Sequence, residues 1–154
     1  MGILLGFAKY VADNKIELPR KTYVHVTVFE EVGHGASCSV PAGVTELICV
    51  DMGCVGVGLQ CTEKQVSIAA KDSAGPYHYD MVTKLVNAAR SMGADYAVDI
   101  YPGYSSDVDA AVRAGYDLRH GLIGAGGYAS HGFERSHFDG VYNSLLVLCG
   151  YLNV

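Results

Sequence analysis

The chain has 154 residues, 50% hydrophobic and 18% charged, with a net charge of −5, which suits one domain of residues 1–154 able to bury a core without staples. Eleven Lys and Arg against sixteen Asp and Glu leave no basic excess for a nucleic-acid backbone, and no run approaches the ~18 apolar residues of a membrane span. Five cysteines without a C-x-x-C pair argue against a disulfide framework or zinc knuckle and for a reduced, cytoplasmic compartment.

Met1 to Phe7 lacks a basic start and a small-residue cleavage site, so it is not read as a signal peptide. Ile3, Leu4, Phe7, Ala8, Val11 and Ala12 recur at helical spacing and predict a helix over 3–15. A domain seldom opens inside a helix, so this start reads as that of a piece of something larger. Thr22 to Phe29 is β-branched and aromatic and predicts a strand that Gly33 and Gly35 break. Leu47 to Met52 reads as a buried strand, and Val55 to Leu59 and Gln65 to Ala70 as two more. Pro76 opens a predicted helix over Tyr77 to Met92, with Asp80 and Lys84 spaced as an i,i+4 pair and Gly93 as its αL cap. A strand over Tyr96 to Tyr101, a helix over Asp107 to Ala114, a strand over Leu118 to Ile123 and an apolar helix over Tyr142 to Leu152 complete the chain. This alternation predicts an α/β fold, a mixed, largely parallel sheet flanked by helices.

Three constellations carry chemistry. Glu30 and Glu31 close the strand over 22–29; they are either a solvated turn or two carboxylates bent into one cavity, where their repulsion calls for a proton or a cation. Asp51 ends an apolar run, either as a turn residue or as an acid at the strand end where α/β sheets keep their sites. His131, Glu134 and His137 lie within one short polar stretch and could serve as metal ligands or their partners. Gly124 to Ala129 fits G-x-G-x-x-A, but no apolar helix or later acid follows, so it is discounted as a nucleotide loop. Carboxylates and imidazoles without thiolate suit Zn, Co or Mn, and a pair of such ions would polarise a carbonyl and activate water.

Phe29-Glu30-Glu31-Val32-Gly33-His34-Gly35-Ala36 resembles the E-E-V-G-x-x-G-A signature of the glutamyl aminopeptidase family, which includes the tetrahedral aminopeptidases. Val50-Asp51-Met52 resembles its next ligand-bearing strand, and Tyr104-Ser105-Ser106-Asp107 its Gly/Ser/Thr-Asp turn. Ala129 to His137 is similar to its S-H-x-Y-E-R-T-H variant.

The resemblance implies a zinc-aminopeptidase-like catalytic domain, here partial, that cleaves N-terminal residues from peptide substrates. It implies Glu30 as the general base toward the attacking water and Glu31, Asp51 and His131 as metal ligands, with His137 the second choice for the late imidazole. It also implies two divalent ions, Zn or Co, in the whole enzyme. The family's upstream H-x-D and D-[DN]-x-x-G motifs have no counterpart here. The chain therefore reads as the C-terminal half of the catalytic domain, holding at most one ion weakly and inactive alone. A non-catalytic module that keeps the fold is the alternative. Apolar surface left uncovered by the missing half predicts a homo-oligomer or self-association.

Overall fold

The computed structural model describes residues 1–154. Helix α1 (Gly2–Asp13) opens the chain, followed by two single 3-10 turns, Glu30–Val32 and Gly35–Ser37. Then come β1 (Glu46–Cys54), β2 (Val66–Lys71), α2 (Tyr79–Ser91), β3 (Tyr96–Ile100), α3 (Asp107–Arg113), β4 (Arg119–Tyr128), β5 (Arg135–Ser136) and α4 (Phe138–Leu152). The main sheet runs β1-β4-β2-β3, with the two-residue β5 beside β4. Pairs β1–β4 and β2–β3 are parallel, and the β2–β4 joint is antiparallel. The expected mixed α/β sheet with flanking helices is what forms. No helix is long and apolar enough to cross a membrane.

Alternation along the inner strands sorts side chains to the two faces. Ile68 and Ile123 join Ile3, Phe7, Met81, Leu85, Val147 and Leu152 in the larger core cluster, under α1, α2 and α4. Their strand neighbours Ala69 and Leu122 join Tyr77, Tyr101 and Val108 of α3 in a second cluster. Both faces of β2 and β4 are therefore covered, which matches their lack of a polar stripe. Glu46, at the start of β1, gathers Arg20 at 2.7 Å, Lys84 at 2.7 Å and Arg119 at 3.1 Å, and accepts from the Tyr151 hydroxyl. Burial alone would raise its carboxyl, but the hydrogen bonds from Lys84 and Tyr151 and the charges of Lys84 and Arg20 prevail and hold it down at about 2.

Several expectations are corrected. Thr22 to Phe29 forms no strand, and residues 21–28 make no backbone hydrogen bond at all. A strand exists only with a neighbour to pair with, and none lies within reach of this segment. Val55 to Leu59 is a turn, not a strand: Val57 is fully exposed and Gly58 has φ +87°. Its exit is held by the Asp99 carboxylate, which accepts from the backbone N–H of Gln60 and Cys61. Helix α2 starts later than Pro76, which instead bridges to Lys71, and Lys84 reaches Glu46 rather than Asp80. Strand β4 runs on to Tyr128 through the glycines. A Cβ at Gly124 would stand 2.4 Å from Asp51 O, so the glycine admits β1 at close range and serves no phosphate. Helix α4 begins at Phe138, before the expected Tyr142, because the His137 ring accepts from Asp139 N–H at 3.1 Å and caps it.

Candidate functional site

Three segments bring acids to the C-terminal side of β1. Asp51 lies within β1, paired opposite Gly124, and the strand continues three residues beyond it. Glu30 and Glu31 ride on the first 3-10 turn, closed by Gly33 N–H donating to Glu30 O at 2.9 Å and His34 N–H donating to Phe29 O at 3.0 Å. Gly33 takes the left-handed conformation at φ +77° that this closure needs. Asp107 begins α3, behind the Ser106 cap, whose N–H donates to Asp109 Oδ2 at 2.9 Å.

Asp107 locks the second 3-10 turn. Its Oδ1 accepts from the N–H of Ala36, a residue that is 2% exposed, at 2.5 Å. A Cβ at Gly35 would fall 1.7 Å from the same oxygen, and Gly35 has φ +26°. Only glycine lets the turn close on the carboxylate. The G-x-G spacing after the glutamates, Gly33-His34-Gly35, thus has a local cause: the first glycine ends one turn, and the second admits Asp107.

The acids act on one another electrostatically. Burial, followed by the charges of Asp51, Glu31 and Asp107, pushes Glu30 up to about 7, with His131 pulling the other way. Asp51 is also raised, mainly by burial and further by Glu31 and Glu134, against hydrogen bonds from Tyr104 and the Met52 backbone. Tyr104 donates to Met52 O at 3.2 Å, and burial and Asp51 raise its hydroxyl in turn. A half-buried carboxyl poised near neutrality suits a general base. Crowded carboxylates, with their mutual repulsion unrelieved, suit a cation.

His131 sits in the turn after β4 at φ +61°, with Nε2 3.6 Å from Glu31 Oε2. It joins the acidic group. His137 caps α4 through Nδ1, which also faces Asp139 Oδ2 at 3.2 Å. Oxygen donors with one imidazole match a borderline divalent ion such as Zn or Co. Glu31 and His131 are exposed, and no three His, Cys, Asp or Glu side chains already form a closed cage. The donor chemistry fits a metal, while the geometry is that of an open, incomplete set. Asp107 and Tyr104 are the participants to which sequence reasoning gave no role in the site, while Glu134, named with His131, acts on Asp51 through its charge. Tyr104 and Asp107 lay inside a motif read as a helix start, and only the distant Ala36 contact shows what Asp107 does.

The family model for M42 glutamyl aminopeptidases matches residues 1–146. YhfE of Bacillus subtilis (strain 168), an aminopeptidase by its name, is 40% identical over 152 residues, which are 99% of this chain and 44% of that protein. The TET aminopeptidase of the marine sediment archaeon Thaumarchaeota archaeon SCGC AB-539-E09 superimposes with a TM-score of 0.80 at 18% identity, over 97% of this chain and 45% of its own. A PhTET1 dodecamer gives 0.77 at 18% identity, over 96% and 46%. An aminopeptidase of Desulfurococcus kamchatkensis gives 0.68 at 21% identity, over 82% and 39%. The chain thus spans less than half the length of these relatives.

Proposed function

The chain belongs to the M42 glutamyl aminopeptidase family, and from that premise we propose that it is the water-activating, C-terminal half of a metal-dependent aminopeptidase acting on peptide N-termini. The observation that carries this reading is the gathering of Glu30, Glu31, Asp51 and His131 at one end of β1, with Glu30 pushed up to about 7.

Glu31, Asp51 and His131 would hold one divalent ion, Zn or Co, and the second ion of the whole enzyme would need ligands this chain lacks. When bound, the metal supplies Lewis-acid polarisation of the substrate carbonyl and of water. Glu30 takes the proton of the attacking water and delivers it to the leaving amine. Its neighbour position to Glu31 sets base and ligand side by side. Tyr104, whose hydroxyl donates to Met52 O at 3.2 Å, holds the backbone next to that carboxylate. Asp107 holds the second 3-10 turn, immediately downstream of the one that presents Glu30. The chain by itself has three candidate ligands and no bridging carboxylate between two cations, so it is inactive or nearly so alone. We place it in the cytoplasm and propose a homo-oligomer as the working assembly, without nucleic-acid or membrane partners.

Calorimetric titration of the purified chain with Co or Zn tests this reading. One weak site, lost in His131→Ala and in Glu31→Gln, is expected; unchanged binding in both would overturn the ligand assignment. Hydrolysis of aminoacyl substrates no faster than background is expected, and turnover abolished by Glu30→Gln would refute the inactivity of the chain alone.

A further inference from the structure

A second pair of acids, which the proposed reaction does not use, lies in the interior between the exit of β2 and the start of α3. Asp72 is 0% exposed and Asp109 7%, with Tyr77 and Ser106 buried between them. The Tyr77 hydroxyl donates to Asp72 Oδ2 at 2.5 Å and lies 3.0 Å from Ser106 Oγ, which lies 3.2 Å from Asp109 Oδ2. Asp72 Oδ1 also accepts from Ala74 N–H at 2.8 Å, and Asp109 Oδ2 from Ser106 N–H at 2.9 Å. Neither carboxyl makes an ion pair. Lys71 turns its Nζ to the Asp72 carbonyl at 2.8 Å. His120 packs its ring against Tyr77, 5.4 Å between centroids. Burial and, further, the charge of His78 hold it toward its neutral form, against the Leu118 backbone and Asp72. Asp107, on the same first turn of α3, is committed to Ala36 N–H.

Counting hydrogens shows what this row of oxygens needs. Three contacts run from Asp72 through Tyr77 and Ser106 to Asp109, and the two hydroxyls bring two hydrogens. With both acids charged, each hydroxyl donates outward, and the 3.0 Å contact between Tyr77 and Ser106 holds no hydrogen. One proton on Asp109 lets Asp109 donate to Ser106, Ser106 to Tyr77 and Tyr77 to Asp72, so that every contact is a hydrogen bond. It also removes one of two uncompensated charges from a dry interior, where an unpaired carboxylate is costly. Burial and the adjoining Asp72 carboxyl accordingly raise Asp109 above its ordinary 3.8.

We propose that one proton held between Asp109 and Asp72 locks the start of α3, and that its loss with rising pH releases the Asp107 clamp on Ala36. Ser106 and Asp109 flank Asp107 on the capped turn, so repulsion between the two carboxylates and the opened Tyr77–Ser106 contact act at the point that places Asp107. Asp72 and Asp109 are positioning residues, which set where the turn beside Glu30 stands. A raised carboxyl contributes stability in its neutral form, so the lock is complete below pH 3.8 and is lost as pH rises through the raised value. The inference rests on the buried row of hydrogen bonds, not on the metal ligands.

Two measurements on the purified chain test it. The 13C resonance of the Asp109 side-chain carboxyl, followed against pH, should titrate well above the ordinary aspartate value, and Asp72→Asn should bring its midpoint down. An ordinary midpoint in the unaltered chain overturns the proposal, as does one that Asp72→Asn leaves in place. Protection of the Ala36 amide, taken relative to an unstructured peptide at each pH, should fall about tenfold between pH 5 and pH 8, the opening expected from one lost buried hydrogen bond. Asp109→Asn keeps a donor toward the row at every pH, so its Ala36 protection should stay level over that range. Level protection in the unaltered chain overturns the proposal. A fall that persists in Asp109→Asn also overturns it and assigns the pH dependence to Glu30. Cobalt binding is read separately, so a chain that binds cobalt and shows no such fall refutes only this inference.

Discussion

Glu30→Gln should stabilise the metal-free chain, and should do so only where the native side chain is charged. Burial and three nearby carboxylates raise Glu30 from its ordinary 4.5 to about 7. A raised carboxyl is easier to accommodate in its neutral form, so its contribution to folding is greatest below pH 4.5 and is lost as pH rises through 7. The displacement corresponds to about 3 kcal/mol against the charged form, at ~1.4 kcal/mol per tenfold change. The group is only half-buried, so screening reduces this to about 1–2 kcal/mol. Glutamine keeps the shape and carries no charge. Urea unfolding at pH 8.5 should therefore give Glu30→Gln about 1–2 kcal/mol more stability than the parent chain, and the two curves should coincide at pH 4. Titration with cobalt at pH 8.5 should shrink the gap, because the cation relieves the same repulsion. A variant no more stable at pH 8.5, or stabilised equally at both pH values, would refute the idea that these carboxylates share one poorly solvated site.

Two further substitutions test the supports of the site. Asp107→Ala leaves the buried Ala36 N–H without its acceptor, a loss of about 1–3 kcal/mol, whereas Asp107→Asn keeps an acceptor and should lose less than about 1 kcal/mol; denaturation at pH 7 and exchange of the Ala36 amide distinguish them. Glu46→Gln should destabilise by about 1–2 kcal/mol at pH 7, discounted for cations that are nearly half exposed. With Glu46 held at about 2, its contribution is present above pH 4.5 and disappears as pH falls through 2, so the two unfolding curves should converge at pH 2.

What was legible in the sequence was local. Glu30, Glu31 and the glycines after them are a compact turn whose chemistry and geometry lie within eight residues. Asp51 was legible because one acid interrupts an apolar run. Strands β2, inside the sheet, and β3, at its far edge, were legible because composition marks both. The failures came where a distant partner decides the outcome. Thr22 to Phe29 has every propensity of a strand, yet strand propensity expresses packing against neighbours more than any preference of the chain itself. The second half of β4 lay beyond the predicted strand over Leu118 to Ile123, and its glycines were weighed there as a nucleotide pattern, whereas they let backbone approach backbone. His137 caps a helix through Nδ1, a role that residue type alone does not reveal. The function of Asp107 depends on a contact with Ala36, 71 residues away in the chain.

The same distinction bears on how the site is built. Asp51 is fixed by β1, and Asp107 by the capped start of α3. Glu30 is fixed only from one side: the turn it rides on is clamped downstream by Asp107 at Ala36, while the eight residues upstream, 21–28, have no backbone hydrogen bond. A base that must reach one water within hydrogen-bond distance needs its backbone held from both sides. A cation gripped by the neighbouring Glu31 would supply the second anchor. Cobalt titration should then slow exchange of the Gly33 and His34 amides that close the Glu30 turn. Cobalt binding that leaves both amides unchanged would show that the turn is organised by the Asp107 contact at Ala36 alone.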